Sequence, residues 1–85
     1  MTILETLERF MLAEVSADRG KESLAPDEDL LEQRILDSLG VIKLVVFLEE
    51  TFGIKVADDD IVPENFQTLN DLTKFVEQKM RDMVQ

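Results

Sequence analysis

The chain has 85 residues, with 9 Lys and Arg against 19 Asp and Glu, and therefore a formal charge of −10. This length predicts a single domain, residues 1–85, with one modest core. Neither Cys nor His is present, which excludes disulfides, thiolate metal sites, a side-chain thiol nucleophile and the commonest general base. The acidity argues against nucleic acid and anionic membranes as partners, because their phosphates would be repelled. With no long apolar run and no secretory signal, we expect a cytoplasmic protein.

A first amphipathic helix is predicted at the start of the chain. Thr2 and Glu5 have the spacing of a capping box, and we expect the helix to end near residues 16–18. The apolar stripe recurs at helical spacing and consists of Ile3, Leu4, Leu7, Phe10, Met11 and Val15.

Residues 17–37 are predicted to form a long connection, because Gly20 and Pro26 interrupt the periodicity. A loop this long in a small domain is unusual unless it packs or functions. We expect it to be held against the core by Leu30, Leu31 and Ile35, with a short helical turn near residues 29–33.

A second helix is predicted from Ser38 to Phe52, ending before Gly53, which is a good residue after a helix. Its apolar residues cover more than one face: Leu39, Val41, Ile42, Leu44, Val45, Val46, Phe47, Leu48 and Phe52. Either this helix is central, or part of its surface awaits a partner or an apolar ligand.

The rest of the chain is also predicted to be helical. Residues 54–56 form an extended link, and residues 58–62 a short helix that Pro63 ends. Thr68 with Asp71 resembles an N-cap pair. The last helix carries one apolar stripe, Leu69, Leu72, Phe75, Val76, Met80 and Met83. The prediction is an all-α fold of three long helices and one short helix.

The run Asp37-Ser38-Leu39-Gly40 lies where the long loop enters the second helix. Asp or Ser there is ordinarily an N-cap. A nucleophilic Ser38 needs a base, but there is no His and no Gly-x-Ser-x-Gly elbow, and Lys43 is more than a turn away, which argues against a hydrolase. A phosphodiester on Ser38 would instead lie beside free N–H groups at the positive end of the helix. From these residues alone, Ser38 could be either a helix N-cap or a site of modification.

Residues 35–54 resemble the core of an acyl carrier protein. The matching features are Asp37-Ser38-Leu39 opening a helix, Leu44-Val45, Leu48-Glu49-Glu50 before Phe52, and Ile54-x-Val56. The likeness continues through residues 58–60, residues 63–66 and the closing helix. It covers nearly the whole chain, so it is far more specific than the triplet. It implies a small four-helix bundle of the acyl-carrier type.

The resemblance implies a 4′-phosphopantetheine arm on Ser38, with Asp37 and Leu39 beside it. The terminal thiol of the arm would hold an acyl or aminoacyl cargo as a thioester, and the carrier itself would do no catalysis. The implied partners are a phosphopantetheinyl transferase, an acyl- or amino-acid-activating ligase and a downstream acyltransferase or condensing enzyme. The carrier is expected to be a monomer.

The family's docking face is the helix that begins at the serine, together with the short third helix. By position, the implied docking residues are Ile42, Lys43, Val46, Glu49, Glu50 and Ile61. Leu39 and Val46 can also be interpreted as core residues. For Val45 and Leu48 we prefer the interpretation that they belong to the core. Charged pairs on such a face would govern encounter rate and specificity more than affinity.

The chain departs from the fatty-acid-synthesis pattern at Gly40 and Lys43, where acidic residues are usual. This favours a specialised free-standing carrier for amino acids or pathway-specific acyl groups. The alternative is an acidic helical protein-binding module in which Ser38 is only an N-cap. The three aspartates at 58–60 lack the Gly and the later oxygen ligands of a calcium loop, so no metal site is predicted.

Overall fold

The computed structural model describes residues 2–15 and 23–83. The α-helices in those ranges are α1 (Ile3–Phe10), α2 (Ser38–Phe52), α3 (Pro63–Phe66) and α4 (Leu69–Met83). A π-helical turn, Met11–Val15, continues α1, and a 3-10 turn, Asp58–Asp60, precedes α3. Since neither range contains a strand, the structure agrees with the all-α prediction. None of the helices described is long and apolar enough to cross a membrane.

Helix α1 begins at the predicted capping box. The Glu5 N–H donates to Thr2 Oγ1 at 3.1 Å, and the Thr2 N–H donates to Glu5 Oε1 at 3.0 Å. Hydrogen bonds from Thr2 lower the pKa of Glu5, and the bond from the Thr2 backbone has the larger effect. The expected end of this helix, residues 16–18, lies outside the described residues.

Helix α2 has the predicted bounds. Gly53 adopts the left-handed conformation with φ of 69°, and its N–H donates to the Glu49 carbonyl at 3.0 Å. Such a φ suits glycine, which has no Cβ to clash.

The two faces of α2 differ sharply in exposure. Leu44 and Leu48 are fully buried, whereas Leu39 and Ile42 are each 61% exposed and Val46 is 48% exposed. Part of the apolar surface of α2 is therefore uncovered, and whether a partner or an apolar ligand covers it stays a prediction. The core interpretation of Leu39 and Val46 is therefore wrong, and that of Leu48 is confirmed.

The long connection is held to the core largely as predicted. Leu30 and Ile35 are buried and Leu31 is half-buried. The Leu30 N–H donates to the Gln67 carbonyl at 2.7 Å, which ties the loop to the α3–α4 junction. In the predicted turn, Asp29 Oδ1 accepts hydrogen bonds from the N–H groups of residues 31 and 32. The loop is thus fixed just before Ser38.

The segment before α3 corrects one prediction. The short helix ends at Asp60 rather than Val62, and Pro63 begins α3 instead of ending a helix. Proline suits the first helical position because its fixed φ fits the helix and that position needs no N–H donor. The Lys79 Nζ lies 2.7 Å from Asp60 Oδ2, so α4 anchors this turn.

Helix α4 begins at the predicted cap, since the Asp71 N–H donates to Thr68 Oγ1 at 3.0 Å. The apolar stripe is buried only as far as Val76. Met80 and Met83, the last two residues of that stripe, are exposed. The core contains Leu7, Met11, Leu24, Leu30, Ile35, Leu36, Leu44, Leu48, Ile54, Phe66, Leu69, Leu72, Phe75 and Val76.

Candidate functional site

The residue that caps α2 is Asp37. Its backbone is extended, with φ of −103° and ψ of −172°, and its Oδ1 accepts a hydrogen bond from the Gly40 N–H at 2.8 Å. Its carbonyl accepts from the Val41 N–H at 2.8 Å. The interpretation of Ser38 as the N-cap is therefore wrong, because the residue before it already closes the helix.

Ser38 is the first residue of α2 and is exposed. Within residues 2–15 and 23–83, its hydroxyl makes no hydrogen bond, and neither the Ser38 N–H nor the Leu39 N–H has an acceptor. These N–H groups belong to the positive end of the helix, where negative charge is favoured. The arrangement presents an accessible hydroxyl oxygen in a setting that would stabilise an anion bound to it.

Gly40 allows the start of α2 to approach the end of the first helical segment. A Cβ on Gly40 would lie 3.0 Å from Val15 Cγ1 and 3.2 Å from Leu36 Cδ1. Gly40 is buried, so this position is not part of the exposed face of α2. Gly40 therefore adds no side chain to that face.

Two grooves meet beside Ser38. The first has a volume of about 480 Å³ and is lined by Leu31, Arg34, Leu36, Asp37, Ser38 and Val41. The second, of about 170 Å³, is lined by Leu31, Val41, Ile61, Val62, Pro63 and Phe66. Leu31 and Val41 line both grooves, so the two share an apolar wall. Arg34, which has a positive φ of 59°, was missed in the sequence, where nothing marks an arginine for this conformation.

Four predicted docking residues are brought together on one surface. Ile42, Lys43, Val46 and Glu50 line a groove of about 570 Å³ with Phe10, Glu14 and Phe47, which we call the α1–α2 groove. Its floor includes the stacked rings of Phe10 and Phe47, whose centroids are 4.1 Å apart. The contribution of Phe10 and Glu14 was not foreseen, because the predicted face was confined to α2 and the short helix.

The other two predicted docking residues lie elsewhere. Glu49 is half-buried, and its Oε2 accepts a hydrogen bond from the Val56 N–H at 2.9 Å, so its carboxylate holds the link after α2. Ile61 is exposed but lines the second groove beside Ser38 rather than the α1–α2 groove.

Among the aspartates at 58–60, the side chain of Asp60 stabilises the local fold. Asp60 Oδ2 accepts from the Ala57 N–H at 2.9 Å and pairs with Lys79, and the hydrogen bond from Lys79 is the main cause that lowers its pKa. Over the two described ranges, no group of three or more metal-ligating side chains could hold an ion.

Comparison with known proteins agrees with this geometry. Residues 9–76 match the family model of the phosphopantetheine attachment site. D-alanyl carrier proteins of Streptococcus pyogenes serotypes M5 and M49 are each 34% identical over 77 residues, which is 91% of this chain and 89% of theirs.

Solved structures resemble the chain as well. A holo acyl carrier protein from Nitrosomonas europaea, solved by solution NMR, is 33% identical with a TM-score of 0.77, and the match covers 95% of this chain and 99% of that one. A chain in a crystal structure of an FAD-dependent dehydrogenase is 28% identical with a TM-score of 0.73, covering 82% and 97% respectively.

The fold and the site together define a small helical carrier domain, and the chain belongs to the phosphopantetheine-binding carrier protein family. Its cofactor is 4′-phosphopantetheine, and its function is to carry an acyl or aminoacyl group. The resemblance, the fold class and the carrier function predicted from the sequence are confirmed. The residues around Ser38 fit the cofactor, since an exposed hydroxyl with two free N–H groups opens onto a groove.

Proposed function

We propose that the arm is attached to Ser38 Oγ. The observation that carries this assignment is that Asp37 caps α2 and leaves Ser38, one residue later, exposed and free of any structural hydrogen bond in the described part of the chain. A phosphodiester at this oxygen would lie at a helix N-terminus, where backbone N–H groups favour anions. Asp37 and Leu39 flank the attachment atom, the first as the cap and the second as an exposed apolar neighbour.

The chain acts by tethering and presentation. When bound, the arm supplies a thiol that holds a carboxylic acid as an activated thioester. The protein contributes no catalytic group in this proposal, because it has no His or Cys, and Ser38 is consumed by attachment. Tethering raises the effective concentration of the cargo at a partner enzyme. We propose that this carrier is one domain, residues 1–85, that works as a cytoplasmic monomer.

The proposed partners are a phosphopantetheinyl transferase, a ligase that activates an acyl or amino acid, and an acyltransferase or condensing enzyme that accepts the cargo. The surface proposed for docking is the α1–α2 groove. Exposed Ile42 and Val46 offer apolar contact, and the groove also contains the charges of Glu14, Lys43 and Glu50. Charges at such a rim set the encounter rate and the choice of partner. Ile61 forms the neighbouring contact beside Ser38.

The cargo we favour is an aminoacyl group. The support is the similarity over most of the chain to carriers that are named for D-alanine. D-Alanine is therefore the first amino acid to test, by incubating the arm-bearing protein with ATP, the amino acid and an activating ligase. A hydroxylamine-labile mass gain is expected with D-alanine, and a gain only with fatty acids would overturn the aminoacyl assignment.

Attachment is tested by intact mass. The wild type, Ser38→Ala and Ser23→Ala are incubated with coenzyme A and a phosphopantetheinyl transferase of broad specificity. Ser23 is the matched control, since it is an exposed serine in the long connection. We expect one added phosphopantetheine on the wild type and on Ser23→Ala, and none on Ser38→Ala. A gain on Ser38→Ala, or none on a folded wild type with two such transferases, contradicts the proposal.

A further inference from the structure

Arg34 is held in an uncommon conformation four residues before Ser38. Its φ of 59° is left-handed, which few residues with a Cβ adopt. The turn around it is closed by hydrogen bonds: the Arg34 N–H donates to the Leu31 carbonyl at 3.1 Å, and the N–H groups of Ile35 and Leu36 both donate to the Leu30 carbonyl at 2.9 Å. Because Leu30 and Ile35 are buried, the core fixes where the Arg34 side chain starts.

Arg34 and Ser38 line the same groove of about 480 Å³. Among the residues that line it, Arg34 is the one cation and Asp37 the one anion. The Asp37 carboxylate accepts the Gly40 N–H. A phosphodiester on Ser38 would therefore add negative charge beside Asp37, in a chain whose formal charge is already −10. Of the side chains that line this groove, Arg34 is the one whose charge would offset this repulsion.

We propose that Arg34 is a positioning residue for the phosphodiester of the arm. Its planar guanidinium donates charge-assisted hydrogen bonds to the non-bridging phosphate oxygens, a geometry that arginine matches in bidentate fashion. This contact sets the direction in which the arm leaves Ser38, along the apolar walls formed by Leu31 and Val41. The inference rests on the proposed attachment at Ser38 and assigns a role to a residue outside the attachment motif.

The test uses the complete protein with and without the arm. The variants are Arg34→Gln, which removes the charge, Arg34→Lys, which keeps it, and Arg34→Gly, which removes it while suiting the positive φ. Lys43→Gln is the matched control, because Lys43 is an exposed cation of α2 that lines the α1–α2 groove instead. Intact mass first establishes that each variant has received one arm.

Two readouts then follow, neither of which depends on cargo transfer. The first is NMR of the arm's phosphorus and of the Arg34 Nε–H. The second is the difference in thermal midpoint between the arm-bearing and arm-free forms at low and high salt. We expect the Arg34 Nε–H resonance to move when the arm is attached, and the phosphorus shift to change in Arg34→Gln and Arg34→Gly but not in Lys43→Gln. Arg34→Lys should recover part of the effect.

The thermal midpoint of the arm-bearing form, relative to that of the arm-free form, should be higher in the wild type than in Arg34→Gln. The expected gap is about 1–5 °C at low salt, the range for an exposed ion pair in a small domain. About 1 M salt should remove that gap. The role of Arg34 is overturned if every variant receives the arm but the Arg34 resonance does not move, the phosphorus shifts do not change and the midpoint differences are equal. That result would leave Ser38 as the attachment residue. A folded wild type that receives no arm overturns both proposals.

Discussion

The carboxylate of Asp37 lies 2.8 Å from the Gly40 N–H and so closes the N-terminus of α2. This bond assigns the structural role to the first residue of the Asp-Ser-Leu triplet and leaves its serine exposed. Gly40 is itself suited to the bond, because a larger residue there would crowd Val15 and the Asp37 carboxylate. The cap and the proposed attachment hydroxyl of Ser38 are thus adjacent but separate.

The separation predicts different effects of truncation at 37 and 38. Asp37→Ala should lower the free energy of unfolding by about 1 kcal/mol, the usual cost of losing an N-cap, whereas Asp37→Asn should cost little. Ser38→Ala should change it by less than about 0.5 kcal/mol, as for surface substitutions elsewhere. Urea denaturation of the arm-free proteins measures all three. A larger loss in Ser38→Ala than in Asp37→Ala would show that the serine is the cap after all.

The close approach at Gly40 predicts the effect of adding a methyl group there. Alanine would ordinarily stabilise a helix by about 1 kcal/mol relative to glycine. Here the new Cβ would be 3.0–3.3 Å from Val15 Cγ1, Leu36 Cδ1 and Asp37 Oδ1. We expect Gly40→Ala to lower the free energy of unfolding by about 1 kcal/mol, because overpacking outweighs propensity.

The control for this prediction is Gly40→Ala in a Val15→Ala background, which removes the nearest contact. The cost of the added methyl group should be smaller there, and the two substitutions should therefore be non-additive. A stabilising Gly40→Ala in the otherwise unchanged chain would contradict the close approach.

The ion pair between Asp60 and Lys79 predicts a pH dependence of stability. Lys79 lowers the folded-state pKa of Asp60 below its ordinary value of 3.8. The contribution is therefore complete above pH 3.8 and is lost as the pH falls through the folded pKa. Asp60→Asn should cost at most about 1 kcal/mol at pH 7, as for partly exposed pairs, and the gap to the wild type should close in acid.

Thermal melts from pH 7 to pH 2 measure this gap. Asp59→Asn is the matched control, since Asp59 is exposed and has no hydrogen bond or ion pair in the described residues. The ion pair would be contradicted if both variants differed from the wild type by the same amount in thermal midpoint. It would also be contradicted if the difference for Asp60→Asn grew towards acid pH.

Because Lys43 lines the α1–α2 groove, we expect its substitution to change which enzymes use the carrier. Lys43→Glu should slow loading by the native ligase several-fold and speed transfer with enzymes of fatty-acid synthesis, because rim charges act on encounter. Lys55→Glu makes the same change in net charge at an exposed position after α2 and outside the groove. Loading rates are compared for both variants, and equal effects would show that only net charge matters.

Local chemistry explains what could be predicted of the fold. The Thr2–Glu5 box, Gly53 and the Thr68 cap each act within four residues, so their sequence pattern is sufficient. Pro63 was misjudged because a proline that ends one turn is equally suited to begin the next helix.

The parts of the site that were missed depend on contacts between distant segments. Two capping residues in succession do not reveal which one has the extended backbone, and only the structure shows that it is Asp37. Phe10 joins the α1–α2 groove through its stacking on Phe47, which lies far along the chain. The positive φ of Arg34 follows from the buried residues on either side of it rather than from its own type.

The most direct measurement is to locate the arm within the chain. Cleavage after Lys and Arg releases residues 35–43, in which Ser38 is the one residue with a hydroxyl group, and residues 22–34, which contain Ser23. Mass spectrometry of the digested, arm-bearing protein should find one phosphopantetheine on residues 35–43 and none on residues 22–34. An arm on any other peptide would contradict the assignment of Ser38 as the attachment site.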